Sequence, residues 1–204
     1  MKKNNTTLLY MNQDVSLHDA LKSSYGDAKT RRSLANKGYQ YDKKLSNHNE
    51  QVWYNPTNKK LLYNVAGTHN FKDWGTDLWL GLGGLRNTNR FKEADKNLKA
   101  AKEKYGTNAT ITGHSLGGSI GQAIKKDDDK LYSLDAGYTL GQKTRNKTGN
   151  AHNYRTSGDV VSMFGAGATH MTTLKNPHST TGFLPADILK SHDVGNIKNE
   201  NIYI

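Results

Sequence analysis

The hydrophobic positions of this chain fall in short, separated runs whose spacing changes period along the sequence. Leu17, Ala20 and Leu21 recur at helical spacing behind Ser16, whose hydroxyl can cap a helix, so a short helix is predicted over residues 16–24. Residues 29–44 are polar and basic and show no period on which to predict an element. From residue 51 the pattern sharpens. Gln51-Val52-Trp53-Tyr54-Asn55 and Lys60-Leu61-Leu62-Tyr63-Asn64-Val65-Ala66 read as strands, and Pro56-Thr57-Asn58 between them supplies turn chemistry, which predicts a hairpin. The clearest helical stripe runs over residues 88–105, where Phe91, Ala94, Leu98 and Ala101 lie three or four apart and Gly106 supplies a stop. Residues 108–113, 131–135 and 152–156 read as strands, 115–126 as a helix and 185–190 as a short helix. Strands alternating with helices predict an α/β architecture with a mostly parallel sheet flanked by helices.

Composition changes this picture in two ways. Leu, Ile, Val and Phe make up only 37 of 204 residues, so the aliphatic core is thin, yet 11 Tyr, 3 Trp and 20 Gly are unlike a disordered polyelectrolyte. The net charge is +11, and residues 1–60 hold 11 basic against 5 acidic side chains. A balance of that kind suits nucleic acid, an anionic membrane or another acidic partner. Cysteine is absent, which excludes disulfide scaffolding, thiolate metal sites and cysteine nucleophiles. No apolar run is long enough to span a bilayer, and the N-terminus lacks the sustained apolar segment of a signal peptide. A cytoplasmic or particle-associated location is therefore expected rather than classical secretion. The basic residues 1–50 are expected as a segment packing on or extending from a core domain over 51–204.

The chemistry concentrates at Gly113-His114-Ser115-Leu116-Gly117-Gly118, which contains G-x-S-x-G. The string is weak alone in a glycine-rich chain, but here a predicted strand precedes it and a predicted helix follows. A tight strand-to-helix turn holds a serine nucleophile against the N-terminal end of a helix, and small neighbours at 113 and 117 let the chain turn. The alternative is a glycine-rich turn in which Ser115 merely caps the helix.

A serine nucleophile needs a base and an orienting acid, and on such a fold they follow in the order Ser, acid, His. Asp159, on a turn after the strand ending near Thr156, suits the acid, with Asp135 at the end of an earlier strand as the other candidate. His170, His178 and His192 remain for the base, and His192 near the C-terminus is preferred; His114 is expected to pack rather than react. The Gly81-Leu82-Gly83-Gly84 run follows no strand, and Arg86 replaces the third glycine of a dinucleotide fingerprint, so no nucleotide cofactor is expected.

Three separated segments resemble the class 3 (fungal-type) lipases of the α/β-hydrolase fold: residues 66–78 (AGTHNFKDWGTDL), the elbow at 113–118, and Gly158-Asp159-Val160-Val161 followed by His192. The resemblance implies Ser115 as nucleophile, Asp159 as acid and His192 as base. It implies Thr68 and the backbone N–H of Leu116 as the oxyanion hole, and no metal or organic cofactor. It also implies a short lid and minimal cap, with Phe71, Trp74 and Trp79 as substrate or lid residues. Two positions depart from that family's pattern: Ala66 stands where it has arginine, and Asn70 where it has serine.

The function so implied is a serine carboxylic-ester hydrolase acting on acyl-ester lipids: a lipase, phospholipase or esterase working through an acyl-enzyme. The +11 charge then reads as an aid to meeting an anionic membrane surface rather than nucleic acid, and small size with basicity equally suits a virion-associated enzyme. A second reading is a catalytically inactive lipase-like scaffold that binds through its basic surface, since fold does not fix function.

Overall fold

The computed structural model describes residues 14–68, 85–126, 128–137, 150–159, 161–162, 171–176 and 190–204. Its first helix, α1 (Leu17–Ser24), starts where the sequence predicts, with the Ser16 hydroxyl accepting the Asp19 N–H at 3.1 Å. Next comes α2 (Ala28–Asn36), capped by Asp27 through the Thr30 N–H at 2.8 Å. No apolar stripe announces α2. It is held by tertiary contact, with Leu34 buried against Ala20, Tyr39, Trp53 and Leu62.

The short strand β1 (Gln40–Tyr41) leads to the expected hairpin of β2 (Glu50–Asn55) and β3 (Lys60–Val65). Helix α3 (Asn89–Tyr105) runs between Thr88, whose hydroxyl accepts the Phe91 N–H, and Gly106 in the left-handed region at φ 61°. It is followed by β4 (Ala109–His114), α4 (Leu116–Ile124), β5 (Lys130–Leu134), β6 (Ala151–Thr156) and β7 (Met171–Leu174). The sequence pattern misses β1 and β7, the two edge strands, because neither carries an apolar run.

Among the described residues the sheet has the order β1-β2-β3-β4-β5-β6-β7, antiparallel from β1 to β3 and parallel from β3 onward. Period-2 alternation divides the core between two faces. Leu61, Tyr63, Val65 and Ile111 pack with Leu98 of α3 and with Ile120 and Ile124 of α4. On the other face Leu62 and Trp53 meet Ala20 and Leu34, while Leu17, Leu21, Leu134, Val194 and Ile197 form an adjoining cluster. The buried polar pair Asn64 and Thr112 also lies on this side, joined at 2.8 Å and tied to Ser23 and the Ala20 carbonyl. Residues 15–17 and 202–204 join each other in the same layer, since Leu17 N–H bonds the Ile202 carbonyl and Ile204 N–H the Val15 carbonyl. No helix of the described residues is long and apolar enough to cross a membrane.

Candidate active site

The parallel strands end at a common edge, and the ladder runs one residue past it. Ser115 N–H bonds the Leu134 carbonyl at 3.0 Å, and Asp135 N–H bonds the Tyr154 carbonyl at 2.9 Å. Both residues have positive φ, 55° for Ser115 and 48° for Asp135, so each strand stops in a strained turn rather than fading into a loop. For Ser115 the turn is possible because its neighbours lack side chains. A Cβ on Gly113 would strike the Gly117 carbonyl, and one on Gly117 would strike the carbonyls of Val65 and Ala66. The Ser115 side chain makes no capping bond to α4, which removes the reading of this serine as a helix cap. Its hydroxyl is buried and has no hydrogen-bond partner among the described residues.

Asp159 and His192 are brought together. His192 Nδ1–H donates to Asp159 Oδ1 at 2.6 Å, with both side chains inaccessible to solvent. Asp159 lies one residue beyond Gly158, whose φ of 82° turns the chain back, and its Oδ2 accepts the Ser162 N–H at 2.8 Å. Since Nδ1 carries a proton toward the carboxylate, the lone pair of a neutral His192 resides on Nε2. Burial is the largest influence on this imidazole and lowers its pKa. The charge of Asp159 and its hydrogen bond lead the influences that outweigh it, so the net shift is upward.

The loop after β3 passes directly over the serine turn. A Cβ on Gly67 would lie 2.8 Å from the His114 carbonyl oxygen and 3.2 Å from Ser115 Cβ. Thr68 is therefore the residue next to this approach, and it is half-buried. Leu116 opens α4, so its N–H belongs to the first-turn donors that lack an intrahelical acceptor. Phe71, Trp74 and Trp79 lie outside the described residues, as do His170 and His178.

Three residues not anticipated from the pattern hold this edge in place. Gly67 N–H donates to Tyr25 Oη at 2.9 Å, Tyr25 Oη bonds His114 Nδ1 at 2.8 Å, and His114 Nε2 bonds the His192 carbonyl at 2.9 Å. A carbonyl oxygen only accepts, so His114 Nε2 carries the proton and Nδ1 accepts from the tyrosine. Burial, with His192 nearby, holds His114 well below the usual histidine range, which keeps that neutral tautomer. His114 packs, as expected, but through Tyr25 it also ties the Gly67 loop to the backbone of His192. Arg90 of α3 is the second unforeseen residue: its guanidinium donates to the Ala66 carbonyl at 2.7 Å and the Gly67 carbonyl at 3.4 Å. The third is Thr156, which joins Asp135 to the Ser191 carbonyl. Partners so distant in sequence leave no local signal.

Donor atoms of His114, Asp135 and His192 come within 4.8 Å of one another, the spacing of a small cation site. Both ring nitrogens of His114 and Nδ1 of His192 are committed to other hydrogen bonds, so the cluster reads as a proton-ordering network rather than a ligand set.

The chain matches no protein-family model and no curated protein sequence. Solved structures do resemble it. Rhizomucor miehei lipase in its native propeptide complex superimposes with a TM-score of 0.54 at 12% identity, over 95% of this chain and 80% of that one. Yarrowia lipolytica Lip2 lipase gives 0.52 at 14% identity, over 78% and 74%. With the mostly parallel sheet and its flanking helices, these likenesses establish the α/β-hydrolase fold in the lipase-like form.

Proposed function

We propose that this protein is a serine hydrolase of carboxylic esters, with acyl-ester lipids as substrates. The observation that carries the reading is the buried 2.6 Å bond between His192 Nδ1 and Asp159; a serine held in a strained, non-capping turn at the end of β4 supports it.

In the proposed reaction Ser115 Oγ attacks the acyl carbonyl while His192 Nε2 takes its proton, and Asp159 stabilises the resulting imidazolium. The backbone N–H groups of Thr68 and Leu116 receive the developing oxyanion. The carbon–oxygen bond to the alcohol then breaks, with His192 returning its proton to that oxygen. Water, deprotonated by His192, attacks the acyl-serine and releases the carboxylic acid and free Ser115. The lipid preference is supported by the lipase-like fold and by Phe71, Trp74 and Trp79 in the segment that resembles a lid. Ser115 is fully buried, so an acyl group has to gain access to it before reaction.

The test is a fluorophosphonate serine probe together with hydrolysis of short esters, triglycerides and phospholipids. Wild type is expected to label at Ser115 and to turn over at least one ester class. Ser115→Ala is expected to lose labelling and about a millionfold in kcat. Ester turnover that survives Ser115→Ala overturns the mechanism. A wild-type chain that neither labels nor hydrolyses returns the protein to the inactive-scaffold reading.

A further inference from the structure

Two carboxylic acids sit beside His192, and the proposed mechanism uses one. Asp135 is fully buried at the end of β5, in a left-handed conformation that aspartate tolerates better than most residues. The groups facing it are Asp159, His192, His114 and Thr156, with Ser162 Oγ at 3.5 Å. No lysine or arginine is among them.

Counting protons around Thr156 decides the state of this acid. Thr156 N–H donates to Asp135 Oδ1 at 2.7 Å, which makes Oδ1 an acceptor. Thr156 Oγ1 lies 2.8 Å from the Ser191 carbonyl and 3.0 Å from Asp135 Oδ2. A hydroxyl has one proton. The carbonyl cannot supply one and is the nearer acceptor, so the threonine proton is assigned to Ser191, whose oxygen also accepts from Asn196 Nδ2 at 3.0 Å. The remaining contact is then a hydrogen bond only if Asp135 Oδ2 carries the proton. Asp159 differs: its oxygens accept from His192 Nδ1–H and Ser162 N–H, as an ionised carboxylate does.

We propose that Asp135 acts as a neutral carboxylic acid, a positioning residue whose proton runs through Thr156 to the Ser191 carbonyl and so fixes the backbone that presents His192. Its catalytic consequence rests on the serine-hydrolase reading; its protonation does not. Burial, followed by the neighbouring charge of Asp159, pushes the Asp135 carboxyl up to about 7, in line with the proton count. The two acids differ because the groups hydrogen-bonded to them differ. Above neutrality Asp135 ionises, draws the Thr156 proton to itself, and leaves the Thr156 oxygen facing the Ser191 carbonyl without a proton between them.

The first measurement is independent of activity: a carbon-13 NMR titration of the aspartate carboxyls in the intact wild-type chain. One aspartate is expected to remain protonated to about pH 7, while exposed aspartates titrate near about 4. If every aspartate has ionised by about pH 5, the proposal fails whether or not the protein is an esterase. The second measurement is the pH profile of ester hydrolysis. Asp135→Asn replaces the acid by an amide that can donate to Thr156 Oγ1. It is expected to keep kcat within about tenfold of wild type and to hold its plateau to higher pH. Asp135→Ala is expected to lose about a hundredfold in kcat with little change in KM, as misplacement of the base requires. An Asp135→Asn loss as large as the roughly ten-thousandfold expected of Asp159→Asn would mean that Asp135 works as a carboxylate. Superimposable pH profiles for wild type and Asp135→Asn would overturn the proposal as well.

Discussion

A histidine serves as a base only while neutral, so the surroundings of His192 set the lower pH limit of the proposed reaction. Burial alone would lower its pKa from 6.5, but the charge of the Asp159 carboxylate and its 2.6 Å hydrogen bond raise it. The protonated form loses the base function, so kcat/KM is expected to fall with decreasing pH, with its midpoint above 6.5. A midpoint below that value would mean burial dominates and the His192–Asp159 pair does not act as drawn. The same shift bears on folding: the pair adds stability that is present below the unfolded histidine pKa and lost as pH rises through the folded one. At this scale the sequence shows residue types but not their states. Asp135 and Asp159 are the same residue at neighbouring strand ends, and only the atoms around each distinguish carboxylic acid from carboxylate.

At the scale of elements, periodicity and caps locate α1, α3, α4 and the strands β2 to β6, while all but the last residue of the helix expected over 185–190 lies outside the described residues. Thr88 and Gly106 delimit α3, and Ser16 opens α1. Thr88 Oγ1 accepts the Phe91 N–H at 3.2 Å and donates to the Leu85 carbonyl at 2.7 Å. Thr88→Ala is accordingly expected to destabilise the fold by about 1 kcal/mol, measured as a lower urea midpoint at unchanged slope. A midpoint equal to wild type would show that the start of α3 is held by packing instead. The elements missed, α2, β1 and β7, lack any local stripe. Leu34 is the one large apolar residue that α2 buries, β1 is two exposed residues, and β7 has two exposed residues between half-buried ends at the sheet edge. α3 also acts beyond its own packing, because Arg90 on its first turn reaches the Ala66 and Gly67 carbonyls. The guanidinium that the lipase resemblance places at position 66 thus has a counterpart from another element, on the same loop.

For the whole molecule, the +11 charge is a property of the surface rather than of the fold. Much of it lies in the N-terminal 60 residues, and α1 and α2 carry part of it on the face of the sheet opposite α3 and α4. The protein is expected to bind vesicles containing anionic lipid more tightly than zwitterionic ones, with the difference shrinking as salt screens the attraction. Equal partitioning to both vesicles at low salt would remove the electrostatic account of interface binding. The thin aliphatic core is compatible with this charge because Tyr63, Trp53 and Tyr39 add aromatic bulk, and because backbones approach closely at Gly113 and Gly117.

The sequence by itself determined the central strand–helix order from β2 to β6, the tight turn at Ser115 and the order of Ser115, Asp159 and His192 along the chain. These follow from period, caps and glycine placement, which act over a few residues. Tertiary structure alone decided that Asp159 meets His192, that Tyr25 and His114 join Gly67 to the His192 carbonyl, and that Thr156 links Asp135 to Ser191. Those bonds join residues tens of positions apart, and their protonation depends on burial and neighbouring charge. Neither is a property of the linear chain until the sheet brings its strand ends to one edge.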